Sequence, residues 1–171
     1  IPFLSTPNFK LDKRSGITLI VNILRSESTG SIHISSASPN KAPAVKFNFM
    51  TARLDQEVTI EAMRIARRIM AAPAMKDIAR DELAPGVNIQ SDGEMLDWIK
   101  KNAETTYHPV GTCKMGRDPM AVVDDRLRVH GMQGLRVADA SIMPTLTSGN
   151  TNAPSIMIGE KASRMMLEDA A

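Results

Sequence analysis

"SIHISSASPNKAPAVKFNFM", residues 31–50, runs straight into "TARLDQEVTIEAMRIARRIM", residues 51–70, and the spacing of the apolar residues changes at the junction. SIHIS (31–35) alternates strictly, and Val45, Phe47 and Phe49 recur at every second position, which is the period of a strand with one buried face. From Leu54 to Ala72 the period lengthens: Val58, Met63, Ile65, Ile69 and Met70 fall at helical spacings among Arg, Glu and Gln, with Asp55 placed to cap the start. The reading is an α+β fold, an antiparallel sheet packed by helices.

Upstream, ITLIVNILR (17–25) is β-branched and apolar, and a Ser-Thr-Gly turn separates it from 31–35. These two segments are expected to form an antiparallel hairpin, with 44–50 as a third strand. Residues 1–10 hold two prolines and no periodicity, and read as a tail or a cut end. Downstream, Pro73 stops the long helix, AMKDIARDEL continues as a shorter one, and the Pro85–Gly86 pair closes the segment. SDGEMLDWIKKNA (91–103) places Glu94 three residues after Ser91, a capping box ahead of Met95, Trp98 and Ile99. Past residue 104 the helix signals stop, then VVDDRLRVHGMQGLRVADASIMP offers two short strands about a Gly-rich turn, and an amphipathic helix ends the chain. This change of character divides the chain into 1–104, a sheet-and-helix portion, and 105–171, the portion richest in chemistry.

Composition excludes several classes. The 171 residues carry 21 Lys and Arg against 19 Asp and Glu, scattered without a basic stripe, so nucleic acid is not an implied partner. No apolar run approaches the roughly 18–20 residues needed to cross a bilayer, and the first residues lack an export signal, which reads as a soluble, cytoplasmic protein. One cysteine, Cys113, rules out an internal disulfide, and no His, Cys and carboxylate spacing suits a metal. The 12 methionines read as core filler in a chain with few aromatics.

Three places can carry chemistry. In TTYHPVGTCKMG (105–116), His108 precedes a proline, which holds its backbone extended and lets the imidazole project from a fixed base. Cys113 lacks a visible cationic partner and reads as a small hydrophobe. In SGNTNAPSIMIGEKAS (148–163), Ser148, Asn150 and Asn152 are candidate helix caps and Pro154 suits the first turn. That helix end offers backbone donors and a partial positive charge to an electron-rich group. Asp139, ending LRVADAS, reads either as a turn cap or as a ligand for a sugar-like hydroxyl. His33 and His130 read as solvent-facing.

YHPVGTCKMG, the following VVDDRLRVHGMQGLRVADASIMP and GNTNAPSIMIGEKAS together resemble the C-terminal region of the glucose-methanol-choline (GMC) flavoprotein oxidoreductases, most of all the choline and alcohol dehydrogenase branch. The segment from the hairpin through RLDQEVTIEAMRIARRIM resembles that family's substrate-domain portion, less specifically. The resemblance implies FAD and an alcohol substrate, choline-like or aliphatic, oxidised by passing its hydride to flavin N5. It implies that His108 accepts the hydroxyl proton and that Asn152 hydrogen-bonds the substrate oxygen. Asp139 and Ala140 match a flavin-proximal segment, while Asn152, Ala153 and Pro154 match the helix start beside the flavin pyrimidine edge. The family's G-x-G-x-x-G fingerprint is absent from these residues, so the chain is expected to be a C-terminal fragment that lacks the FAD-binding domain, is inactive alone and self-associates through apolar surface. The alternative is a non-catalytic binding or assembly module that keeps the fold without flavin.

Overall fold

A computed structural model of the chain describes residues 15–171, and the expected tail at 1–10 lies outside them. The described elements are strands β1 (Ser31–His33) and β2 (Ala44–Lys46) and helices α1 (Arg53–Met70), α2 (Asp92–Asn102) and α3 (Asn152–Ala170). They make a mixed α+β fold in two compact units. One unit combines the described residues up to Ile23 with Met50–Ala103; the other combines Leu24–Phe49 with Glu104–Ala171.

The first unit is built on α1 and α2. Ile60 and Met63 of α1 bury against Met95 and Ile99 of α2, with Met50, Ile89, Leu96 and Trp98 packed around them. The capping box at the start of α2 forms as the sequence predicts: the Ser91 hydroxyl accepts from the Glu94 amide while the Glu94 carboxylate accepts from the Ser91 amide. At α1 the expectation is corrected. Its N-cap is Ala52, with no side-chain cap, and Asp55 is the third helical residue, almost fully buried, where a carboxylate suits the helix dipole. The expected apolar face is also redistributed, because Val58, Ile65 and Ile69 stay exposed while Ile60 takes the core position. Ile65 and Ile69 join Ala62 and Ala66 in an open cleft that Leu19, Ile20 and Val21 complete.

Two more expectations fail here. Residues 17–25 form no strand, since β1 pairs with β2 rather than with them and an extended segment without a neighbouring ladder is not a strand. AMKDIARDEL forms no α-helix beyond a 3-10 turn at Pro73–Met75. Arg67 instead gathers the irregular segment that follows: it forks onto Glu82 at 2.8 and 3.0 Å and donates to the carbonyls of Gly86 and Ile89 at 3.1 and 2.7 Å. Those bonds satisfy backbone carbonyls that a helix would otherwise have used.

In the second unit β1 and β2 run antiparallel with Ile32 opposite Val45. A side chain at Gly30 would meet the Lys46 and Phe47 carbonyls at 2.2 and 2.8 Å, so the entry to this ladder tolerates only glycine. The third expected strand is shorter than 44–50, ending at Lys46, and Asn48 and Met50 beyond it take positive φ. The two strands expected within 122–144 reduce to isolated bridges, among them Val123 with Val129 and Arg128 with Arg136. Val123, Leu127, Ile142 and Met143 nevertheless form a core with Ile158 and Ala162 of α3. The far end of α3 is tied down by charge: Arg136 and Arg126 both reach Asp169, and they hold its carboxyl below the ordinary carboxylate range. Among the described residues no helix is long and apolar enough to cross a membrane.

Candidate active site

His108 sits in a loop whose shape is fixed on both sides. Before it, Tyr107 adopts a left-handed backbone (φ 61°), held by a 3.0 Å bond from its amide to the Thr105 hydroxyl. After it, Gly111 turns with φ 86°, a conformation that disfavours any side chain. The Cys113 amide donates to the Ser141 carbonyl at 3.0 Å and the Met115 amide to that of Ile142 at 2.8 Å. The histidine loop is thereby stitched to the 139–143 segment.

That segment starts at Asp139, whose carboxylate accepts from the Ser141 amide at 2.8 Å and caps the 3-10 turn Ala140–Ile142. Asp139 is exposed and Ala140 half-buried. Cys113 is a half-buried free thiol, and His130 bonds the Gly116 carbonyl through Nε2 at 3.0 Å.

The start of α3 meets the loop. His108 Nδ1 lies 3.0 Å from the Thr151 hydroxyl and 3.4 Å from the Thr151 amide, which donates toward it. Thr151 is the N-cap of α3, and because its hydroxyl is turned to the histidine it provides no side-chain cap. The three caps expected from sequence are corrected accordingly. Ser148 accepts from Arg25 Nε at 2.9 Å, Asn150 precedes the cap, and Asn152 is the first helical residue. Asn152 and Ala153 are exposed, and Pro154, half-buried, lies in the first turn.

Thr151 is the residue the sequence reading passed over. The signal was present, a threonine directly before the helical run that contains Pro154, but three neighbouring residues compete for the same cap. The structure therefore brings His108, Asn152, Ala153 and Pro154 to one loop-and-helix junction by way of Thr151, while Asp139 and Ala140 lie on the segment bonded to the loop. Chemically, this is a half-buried imidazole with one nitrogen held, beside an exposed helix start carrying amides.

The fold and this junction define an oxidoreductase family. Residues 26–159 match the GMC oxidoreductase family model, and the chain belongs to that family. It is similar to the oxygen-dependent choline dehydrogenases of Cronobacter sakazakii, 48% identical over 85% of this chain and 26% of that protein, and of Escherichia coli K12, 46% identical over 90% and 28%. Among solved structures it resembles pyridoxine 4-oxidase from Mesorbium loti, with TM-score 0.78 and 35% identity over 82% of this chain and 28% of that one. It also resembles the formate oxidase of Aspergillus oryzae, with TM-score 0.77 and 29% identity over 82% and 25%. The chain thus spans about a quarter of the length of the curated relatives it matches.

Proposed function

We propose that this chain is the part of an FAD-dependent alcohol dehydrogenase that carries its proton acceptor, and that the alcohol is choline-like or aliphatic. The observation that carries the reading is the held imidazole of His108: Nδ1 is engaged by Thr151, which leaves Nε2 to meet a ligand. His108 takes the hydroxyl proton at Nε2. Asn152, whose amide can donate a hydrogen bond without ionising, steadies the oxygen as it becomes an alkoxide. When bound, FAD supplies the acceptor for the hydride that leaves the carbinol carbon.

The residues present fit that cofactor. At the exposed start of α3 the amides of Asn152 and Ala153 receive no cap from the Thr151 side chain, and uncapped helix donors suit the electron-rich pyrimidine edge of a flavin. Asn152, Ala153 and Pro154 would line that edge, with Asp139 and Ala140 on the flavin-proximal side. The names of the relatives support the same chemistry, two of them choline dehydrogenases and one a protein whose FAD is described as modified. The remaining partner is the FAD-binding portion of the longer protein.

The test is made in the full-length protein that contains this chain. Flavin absorbance near about 450 nm, and turnover of choline or small primary alcohols with an artificial electron acceptor, are expected. His108→Ala is expected to lower kcat by about 100- to 10,000-fold with flavin content retained. Wild-type turnover in that variant removes His108 from the reaction, and a colourless full-length protein favours a binding module instead.

A further inference from the structure

We propose that Arg25 is a positioning residue: it ties down the loop that enters α3 and thereby sets where Thr151 and Asn152 stand beside His108. The inference rests on the reading that His108 and Asn152 meet an alcohol. Ser148 is offered by the sequence as a helix cap and is used otherwise by the structure, its hydroxyl accepting from Arg25 Nε at 2.9 Å across 123 positions of the chain. The donor is cationic, which makes this the stronger kind of side-chain hydrogen bond. Among the described residues the guanidinium has no carboxylate partner to draw it elsewhere.

The loop has little else to hold it. The Met143 amide donates to the Ala140 carbonyl on one side and the Ser155 amide to that of Thr151 on the other, but among the described residues no amide or carbonyl of 144–150 joins a backbone hydrogen bond. Besides the Arg25 contact the loop has one internal bond, from the Thr147 hydroxyl to the Gly149 carbonyl at 3.3 Å. Arg25 itself stands on an anchored segment. The Thr29 carbonyl accepts from Asn48 Nδ2 at 3.1 Å and Gly30 lies against the Lys46 and Phe47 carbonyls, so residues 25–30 run directly into the β1–β2 ladder. Ser148 precedes Thr151 by three residues, at most about 11 Å of extended chain, so drift at Ser148 carries into the start of α3. Reaction geometry is steep enough for this to matter, since a displacement of about 1 Å can cost about 100-fold in rate.

The test is a double-mutant cycle in the full-length protein, with choline and a small primary alcohol as substrates and with flavin content and melting temperature measured alongside. Both residues are exposed, so the core survives their replacement. Ser148→Ala deletes the acceptor and leaves the charge of Arg25 in place; Arg25→Met deletes the donor and keeps an unbranched stem. Each is expected to lower kcat about 10- to 100-fold with KM, flavin content and melting temperature little changed, the double variant to lose no more than either single one, and Ser148→Thr to restore the rate. Deuterium exchange at the Thr151 and Ser155 amides is expected to quicken in both single variants, because a freed loop lets the first turn of α3 fray. Unchanged amide exchange overturns the proposal, as does unchanged kcat in either single variant. A double variant whose losses multiply overturns it too, since the two side chains then act independently. If wild type oxidises neither alcohol, or His108→Ala turns over normally, while exchange still quickens, the alcohol reading fails and the tether on α3 stands.

Discussion

At the scale of single residues, two asparagines flank the threonine that holds the histidine ring. Asn152 is the first residue of α3 and not its cap, so its side chain is spared the duty that would tie its loss to stability. Asn152→Ala is therefore expected to leave the melting temperature nearly unchanged. Asn152→Asp places a negative charge in the first turn of a helix, which is worth about 0.3–1 kcal/mol in its favour. If Asn152 faces the substrate oxygen as proposed, a carboxylate there cannot donate to it and repels the alkoxide, so kcat/KM of the full-length protein is expected to fall at least about tenfold, or about 1.4 kcal/mol. Asn150→Asp, on the other side of Thr151, is the comparison; a loss confined to Asn150 moves the substrate-facing amide to that position. The motif around His108 was legible because proline and glycine fix a loop by themselves. The partner of its ring was not, because a contact between residues 108 and 151 leaves no mark on local periodicity.

At the scale of elements, the helices were legible and the strands mostly were not, for a physical reason. A helix closes its own hydrogen bonds, so α1 and α2 are written in their own residues, down to the capping box. A strand borrows its bonds from a neighbour, and the apolar run at 17–25 finds none, while the modest 31–33 and 44–46 find each other. The capping box gives a pH signature. Bonds from the Ser91 amide and hydroxyl, and from the Gln90 amide, hold the Glu94 carboxyl below the ordinary glutamate range. A depressed carboxyl stabilises the fold above its unfolded range and loses that contribution as pH falls through its folded value. Wild type is thus expected to melt above Glu94→Gln at neutral pH, and the gap to close on acidification. A gap that stays constant down to pH values below the carboxylate range shows that the charge of Glu94 contributes nothing to the cap.

At the scale of the whole molecule, apolar surface outruns what this chain covers. Ile34, Leu167 and Ile156 are 89, 72 and 66% exposed, and Phe47 stacks on Phe49 with both rings more than half exposed. Scattered single hydrophobes are ordinary on any surface, but apolar residues repeated along both α1 and α3 ask for a partner. The curated relatives are about four times as long as this chain, and on the proposed reading that partner is an FAD-binding portion of a longer protein. Two consequences follow for the 171-residue chain purified alone. With no G-x-G-x-x-G turn to seat a pyrophosphate, it is expected to come out colourless; stoichiometric yellow flavin contradicts that. With the apolar faces of α1 and α3 open to water, burying them against a second copy recovers about 25 cal/mol for each Å² covered, so light scattering is expected to show mass rising with concentration. Charged replacements at Ile156 and Leu167, both well exposed on α3 and outside its core contacts, should lower that association without unfolding the helix. A chain that stays monomeric at high concentration, or associates just as strongly after those replacements, rules out the α3 face as the surface responsible.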